Sequence, residues 1–317
     1  MTNFSLDFPY AFGGPVAEAD FRRVNSDFIV FEDLGFELSG EGEHIYLHLQ
    51  KDGDNTEWLA RQIAKLAGVE ARDVGYCGLK DRHAVTRQWF SVYFPKGEEP
   101  DWSALQSETV DLLETSRHRQ KLRRGQHRAN QFVIWLRDVA GDRAALEQKL
   151  EQVSTHGVPN YFGEQRFGID AGNLHSAERM LVTGSKIKNR SKKSIVLSAA
   201  RSWLFNQVLA ARVEADNWCQ VLDGDIAATG LPTGPLWGRG RLASSGVTKQ
   251  LEEEVLGLWQ HWCEPLEFTG LDQDRRTLVS QVAKLDWAWQ EGDLRLQFEL
   301  AVGAYATAVT RELITVR

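Results

Sequence analysis

Three cysteines in 317 residues, at 77, 219 and 263, are too few and too scattered for a disulfide framework or the paired spacing of a zinc site. A reducing, cytoplasmic setting is therefore expected. No stretch approaches the roughly 20 apolar residues of a membrane span. The opening MTNFSLDFPY lacks the basic-then-apolar order of an export signal. There is no G-x-G-x-x-G fingerprint and no cluster of metal-ligand residues, so neither a nicotinamide or flavin cofactor nor a metal is expected. No heptad or large apolar stripe appears, and a monomer is the expectation. Positive charge is also lacking overall: the net charge is −7, which gives no general attraction for a phosphate backbone. Its distribution is uneven, however. Arg117–Arg128 holds six Lys/Arg and no acid, and Lys186–Arg201 holds six more, again with no acid. Two basic strips on an acidic body can track a phosphate backbone, or can be plain solvated faces.

What is present, 42% hydrophobic and 26% charged residues, is ordinary for a globular protein with a core, and the length suggests two domains. Residues 44–50 alternate Ile45, Leu47 and Leu49 with polar neighbours, which predicts a half-buried strand. Asp52–Thr56 is turn and cap chemistry, and a helix is expected from there to about Leu66, closed by Gly68. Strands are predicted at 88–94 and 132–139, and a helix at 143–153. From His156 the text changes to a Gly/Pro/aromatic loop, 156–168. Helices are predicted at 174–183, 194–214 and 247–261, with a second Gly/Pro-rich loop at 230–240. Strand alternation returns from 293, and a short helix is expected at about 306–314. Strands at both ends and helices between describe a mixed α+β domain interrupted by an insertion. The eleven tryptophans read as packing residues.

One loop concentrates chemistry. In Gly78–Gln88 a single acid, Asp81, lies among Lys80, Arg82 and Arg87. A carboxylate beside cations stays ionised, and an ionised carboxylate can act as a covalent nucleophile. The plainer alternative is a surface ion-pair loop. The wider text shifts the weight between them. Gly78-x-Lys80-Asp81-x-x-Ala84-x-Thr86-x-Gln88 resembles the signature of the TruD family of pseudouridine synthases. Further blocks resembling that family follow in order: Asp27–Glu32, Ser39–His44, Asn55–Thr56, Arg128–Phe132, Pro159–Gly168, Pro232–Gly238, Gly303–Thr307 and Arg311–Leu313. Any one block is weak; the ordered set spans nearly the whole chain.

The resemblance implies an α+β pseudouridine synthase catalytic domain, with an antiparallel mixed sheet, formed by 1–155 and 280–317 and interrupted by a TruD-specific insertion domain at 156–279. It implies an isomerase acting on transfer RNA, at the uridine in position 13 of the D arm. Asp81 matches the family nucleophile; Phe28, Asn130 and Tyr305 match positions that contact the target nucleotide, and Phe132 an aromatic position beside the uracil. Arg22 aligns with a basic position expected to pair with Asp81. The family has Phe where this chain has Tyr305, and that hydroxyl needs a partner if buried.

The reaction breaks a ribose–nitrogen bond, turns the base and rejoins it through carbon, so no redox cofactor is required. Asp81 can add to the anomeric carbon, add to the uracil ring, or withdraw a ribose proton to give a glycal. The basic strips suggest RNA held between the two domains. Two other readings remain: an RNA-binding protein or folding chaperone on the same scaffold, and a small-molecule hydrolase using Asp81. The basic strips speak against the second.

Overall fold

A computed structural model describes residues 3–317. By packing, the chain forms two compact units. A sheet unit comprises Ala17–Arg143, Val282–Gly303 and Thr315–Arg317; a helical unit comprises the residues up to Val16, Ala144–Gln281 and Ala304–Ile314. These packing divisions group 3–16, 144–155, 280–281 and 304–314 with the helical unit, whereas the family blocks place them in the catalytic domain. Among the described residues no helix is long and apolar enough to cross a membrane.

The sheet unit is built on β1 (Ala17–Phe21), β2 (Phe28–Asp33), β3 (His44–Asp52), β4 (Val74–Tyr76), β5 (Val85–Tyr93), β6 (Val110–His118) and β7 (Ala129–Gly141), with the hairpin Ala283–Gln290/Asp293–Ala301. From the hairpin inward the strand order is Ala283–Gln290, Asp293–Ala301, β7, β2, β5, β3, β6. All neighbours on this path run antiparallel except β2 and β5, which run parallel. Helix α1 (Thr56–Ala67) begins where expected. The Asn55 side chain accepts the Glu57 and Trp58 amides, and Gly68 closes the helix at φ +68°. Its Leu59, Ala60 and Ile63 pack on Ile45, Leu47, Leu49 and Phe90.

The strand at 44–50 is not half-buried as its alternation suggested. Tyr46 is as buried as Leu47, because Trp89, Leu122 and Cys77 cover its face. On that same face His48 lies opposite Trp89 and stacks on it, centroids 4.5 Å apart and rings 6° from parallel. Burial, and secondarily the charge of Arg87, pushes His48 down to about 4. Unfolded histidine titrates near 6.5. Between those values the unfolded chain holds more protons, so acidification from pH 6.5 to 4 should lower the melting temperature. In H48Q that part of the pH dependence should flatten. A wild-type melting temperature constant over the window would count against this role.

The helical unit centres on helix Arg190–Glu214, whose Val196, Ala199, Ala200, Leu204 and Phe205 are fully buried. Trp203, Trp259 and Trp262 pack around Phe4, in keeping with the packing role expected of tryptophan. Two expectations need correction here. The 247–261 segment is two helices, Gly246–Gly257 and Gln260–Leu266. The 230–240 loop contains the strand Leu231–Leu236, paired with Asp274–Thr277. Its two prolines and its glycine concealed it, since these residues usually punctuate strands.

Candidate active site

Register places the chemistry of the sheet unit on one face. Val30 pairs with Phe132 and Glu32 with Asn130 across β2/β7; Val30 pairs with Thr86 across β2/β5, and Lys51 with Thr86 across β3/β5. Directly opposite residues point to the same side, and so do positions two apart. Phe28, Glu32, Lys51, Thr86, Gln88, Asn130 and Phe132 therefore share one face, and Phe298 pairs with Phe132 from the neighbouring strand.

Asp81 sits in the loop between β4 and β5, with its side chain 43% exposed. Three fixings hold that loop. The Thr56 hydroxyl, at the start of α1, accepts the Lys80 amide at 3.1 Å and donates to Gln88 Oε1 at 2.9 Å. Gln88 Nε2 donates to the Gly78 carbonyl at 3.3 Å. The buried Lys51 ammonium donates to the carbonyls of Asp54 at 2.7 Å and Asp81 at 3.1 Å. Thr56, Gln88 and Lys51 thus fix the loop through its backbone and Gln88, and the Asp81 carboxylate faces outward.

Arg22 does pair with Asp81, Nη2 to Oδ2 at 3.0 Å. It follows β1 directly and adopts φ +61°, a left-handed conformation uncommon outside glycine. That turn lays its guanidinium 3.7 Å above the Phe28 ring, a cation–π contact. Phe28 in turn packs on Phe132 at 5.8 Å, and Phe132 stacks on Phe298 at 5.4 Å. In this conformation Phe28 is 2% exposed. The guanidinium covers one face of its ring.

Behind this surface lies a buried polar chain. Lys80 Nζ lies 2.7 Å from Glu32 Oε2 and donates to Asn130 Oδ1 at 2.7 Å. Glu32 Oε1 accepts the Trp89 amide, and Asn130 Nδ2 lies 3.2 Å from His127 Nε2. Glu32, Cys77 and His127 bring metal-ligand atoms within 4.8 Å of one another. They suit a metal poorly. The ion would have to displace the Lys80 ammonium from Glu32 and take a thiol proton that burial holds up at about 12. Cys77 is the buried, inert thiol its surroundings dictate.

Tyr305 belongs to the helical unit, at the head of helix Ala306–Leu313. Its hydroxyl accepts from Arg166 Nη2 at 3.0 Å, which supplies the partner that the Phe-to-Tyr departure demanded. It lines a pocket of about 730 Å³ with Tyr161, Phe162, Arg166 and Arg311, inside that unit. Arg22, Phe28, Asp81, Asn130 and Phe132 belong to the sheet unit. Sequence reasoning did not single out Lys51, Glu32 or Arg166. Glu32 and Arg166 lie in recognised blocks, but nothing local marks Lys51.

The basic strips differ. In the first, Arg117, Arg119 and Arg128 are neutralised by Glu99, Glu41 and Asp33. In the second, no carboxylate lies within ion-pair distance of Lys186, Lys188, Arg190, Lys192 or Lys193 among the described residues.

A family profile described as tRNA pseudouridine synthase D (TruD) matches residues 8–188. The tRNA pseudouridine synthase D of Cellvibrio japonicus is 49% identical over 320 residues, covering 99% of this chain and 95% of its own. That of Nitrosococcus oceani is 45% identical over 333 residues, covering 96% and 93%. A crystal structure from Methanosarcina mazei, described as a candidate tRNA pseudouridine synthase D, superposes with a TM-score of 0.72 over 98% of this chain and 96% of that one, at 20% identity. At that identity the likeness is one of fold.

Proposed function

The chain belongs to the tRNA pseudouridine synthase D (TruD) family, and from that premise we propose that it isomerises uridine to pseudouridine at position 13 in the D arm of transfer RNA, with Asp81 as nucleophile. The observation that carries the assignment is the placement of Asp81. It is a carboxylate on a loop braced through Thr56, Gln88 and Lys51, paired with the Arg22 guanidinium that lies over Phe28 of the aromatic cluster.

The geometry supports a division of labour. Asp81 attacks, or withdraws a proton from, the nucleotide while its backbone is held by Lys51. Arg22 pairs with the carboxylate and shields Phe28 until the base arrives. The flipped base stacks against Phe132 and Phe28, at about 1–3 kcal/mol per base–aromatic stack. Asn130 addresses its polar edge. For Tyr305 we propose an RNA contact made from its own pocket, with Arg166 orienting the ring. The isomerisation neither adds nor removes atoms, so the side chains need no redox partner.

The test is position-resolved pseudouridine mapping of transfer RNA incubated with the protein. New pseudouridine at position 13 supports the reading; RNA binding without any new pseudouridine favours an RNA-binding or chaperone role.

The unpaired strip at 186–193 is the part of the helical unit best suited to phosphates. Neutralising Lys186, Lys188, Arg190, Lys192 and Lys193 together should weaken RNA binding. It should also flatten the log–log salt slope by about 0.7–0.9 for each phosphate left without its cation. An unchanged slope would remove the strip from the RNA surface.

A further inference from the structure

The buried polar chain runs from Glu32 through Lys80 and Asn130 to His127, and its chemistry fixes which way the Asn130 amide faces. An ammonium has donors only, so the Asn130 atom 2.7 Å from Lys80 Nζ must be the oxygen. Nδ2 is thereby turned away from Lys80. One of its two protons reaches His127 Nε2 at 3.2 Å, which requires that nitrogen to accept. The neutral ring this needs is favoured by burial and then by the charge of Lys80, both lowering the His127 pKa. The second amide proton has no partner among the described residues. Asn130 shares its face with Phe132, two residues along β7. Lys80 itself cannot swing aside cheaply. Glu32 is fully buried and its other oxygen is taken by the Trp89 amide, so loss of the ammonium would strand a buried carboxylate.

We propose that Lys80 is a specificity-determining positioning residue: by occupying Asn130 Oδ1 it makes Asn130 a donor toward O4 of the target base, accepting uracil and refusing cytosine. Cytosine presents an amino group where uracil presents O4, so two donors would face each other. This assignment rests on the reading of Asn130 as a base contact given above. A free asparagine amide could turn to suit either base; the Glu32–Lys80 pair removes that choice.

The test compares binding of two transfer RNA transcripts that differ only in U or C at the modified position. Removing one charge alone would leave the other buried and unpaired. The variant is therefore E32Q/K80Q, neutral at both positions, with a Gln at position 80 that can donate or accept. Wild-type protein should bind the U transcript about tenfold more tightly than the C transcript, the scale of one mispaired buried group. In E32Q/K80Q the ratio should fall to within about threefold of unity. A second variant, Asn130→Asp, keeps the Lys80 pairing but presents an acceptor outward, and should favour the C transcript. Should E32Q/K80Q fail to fold, Asn130→Asp decides alone. An E32Q/K80Q protein with the wild-type ratio, or an Asn130→Asp protein that still prefers U, overturns the assignment. A wild-type protein that forms no pseudouridine in the U transcript defeats the functional reading instead, so the two failures are distinguishable.

Discussion

Asp81→Asn is expected to lower the single-turnover rate of pseudouridine formation by about four orders of magnitude or more, the scale of removing an enzyme nucleophile. The fold should be nearly untouched. The Asp81 side chain is 43% exposed and its partner Arg22 22% exposed, and such a pair contributes about 0–1 kcal/mol. What anchors the loop is the Asp81 backbone carbonyl, accepting from Lys51, and the substitution leaves that bond in place. RNA binding should persist as well, because the stacking rings and the cations at 186–193 are unchanged. Three measurements therefore separate: activity collapses, the melting temperature moves by no more than about 2–4 °C, and the mobility-shift Kd stays within a few-fold. Retention of a tenth of the wild-type rate by the variant would move the nucleophile elsewhere and leave Asp81 as a surface ion-pair residue.

The local elements of this fold were legible in the sequence because their signals are local. The cap chemistry at 52–56 and the Gly68 stop bound α1 as read, with Asn55 as the cap, and the alternation from 293 marks the strand Asp293–Ala301. β2 was less visible. Its Phe28–Asp33 run follows a short turn, and its partners, β5 and β7, lie far along the chain. The site divides in the same way. Asp81, Lys80, Thr86 and Gln88 fall in one contiguous motif, so resemblance found them together. Lys51 lies one residue beyond the strand read at 44–50, and nothing local marks it. Only the β3/β5 register, which pairs it with Thr86, shows that it points inward under the Asp81 loop. Likewise Glu32 gains its meaning from the β2/β7 pairing with Asn130. Charge counting misled in one respect: the strip at 117–128 looked free, yet carboxylates distant in sequence neutralise three of its arginines. Pairing across a sheet is set by long-range packing, and residue counts within a window do not contain it.

Lys51→Met gives the second large effect, with a pH signature of its own. Lys51 is fully buried, and its ammonium holds the Asp54 and Asp81 carbonyls. Burial pushes its pKa down from the ordinary 10.5 to about 8, against the opposing pull of Asp54 and Asp81. As pH rises through 8 the ammonium becomes an amine. Its two bonds then lose their charge assistance, which roughly halves their strength. The Asp81 loop should loosen, and activity should fall with an apparent pKa near 8. Stability moves the other way. Between pH 8 and 10.5 the unfolded chain holds more protons at Lys51 than the folded chain, so this residue's contribution to stability rises with pH. Loss of activity without loss of fold over that interval distinguishes loop positioning from unfolding. In Lys51→Met both carbonyls lose their donor, at a cost of about 1–3 kcal/mol. A displacement of Asp81 by about 1 Å would cost roughly a hundredfold in rate. The variant should therefore be slow at pH 7 and lack the alkaline limb near pH 8. A wild-type profile flat from pH 7 to 9, or a Lys51→Met profile that keeps the limb, would separate Lys51 from the placement of Asp81.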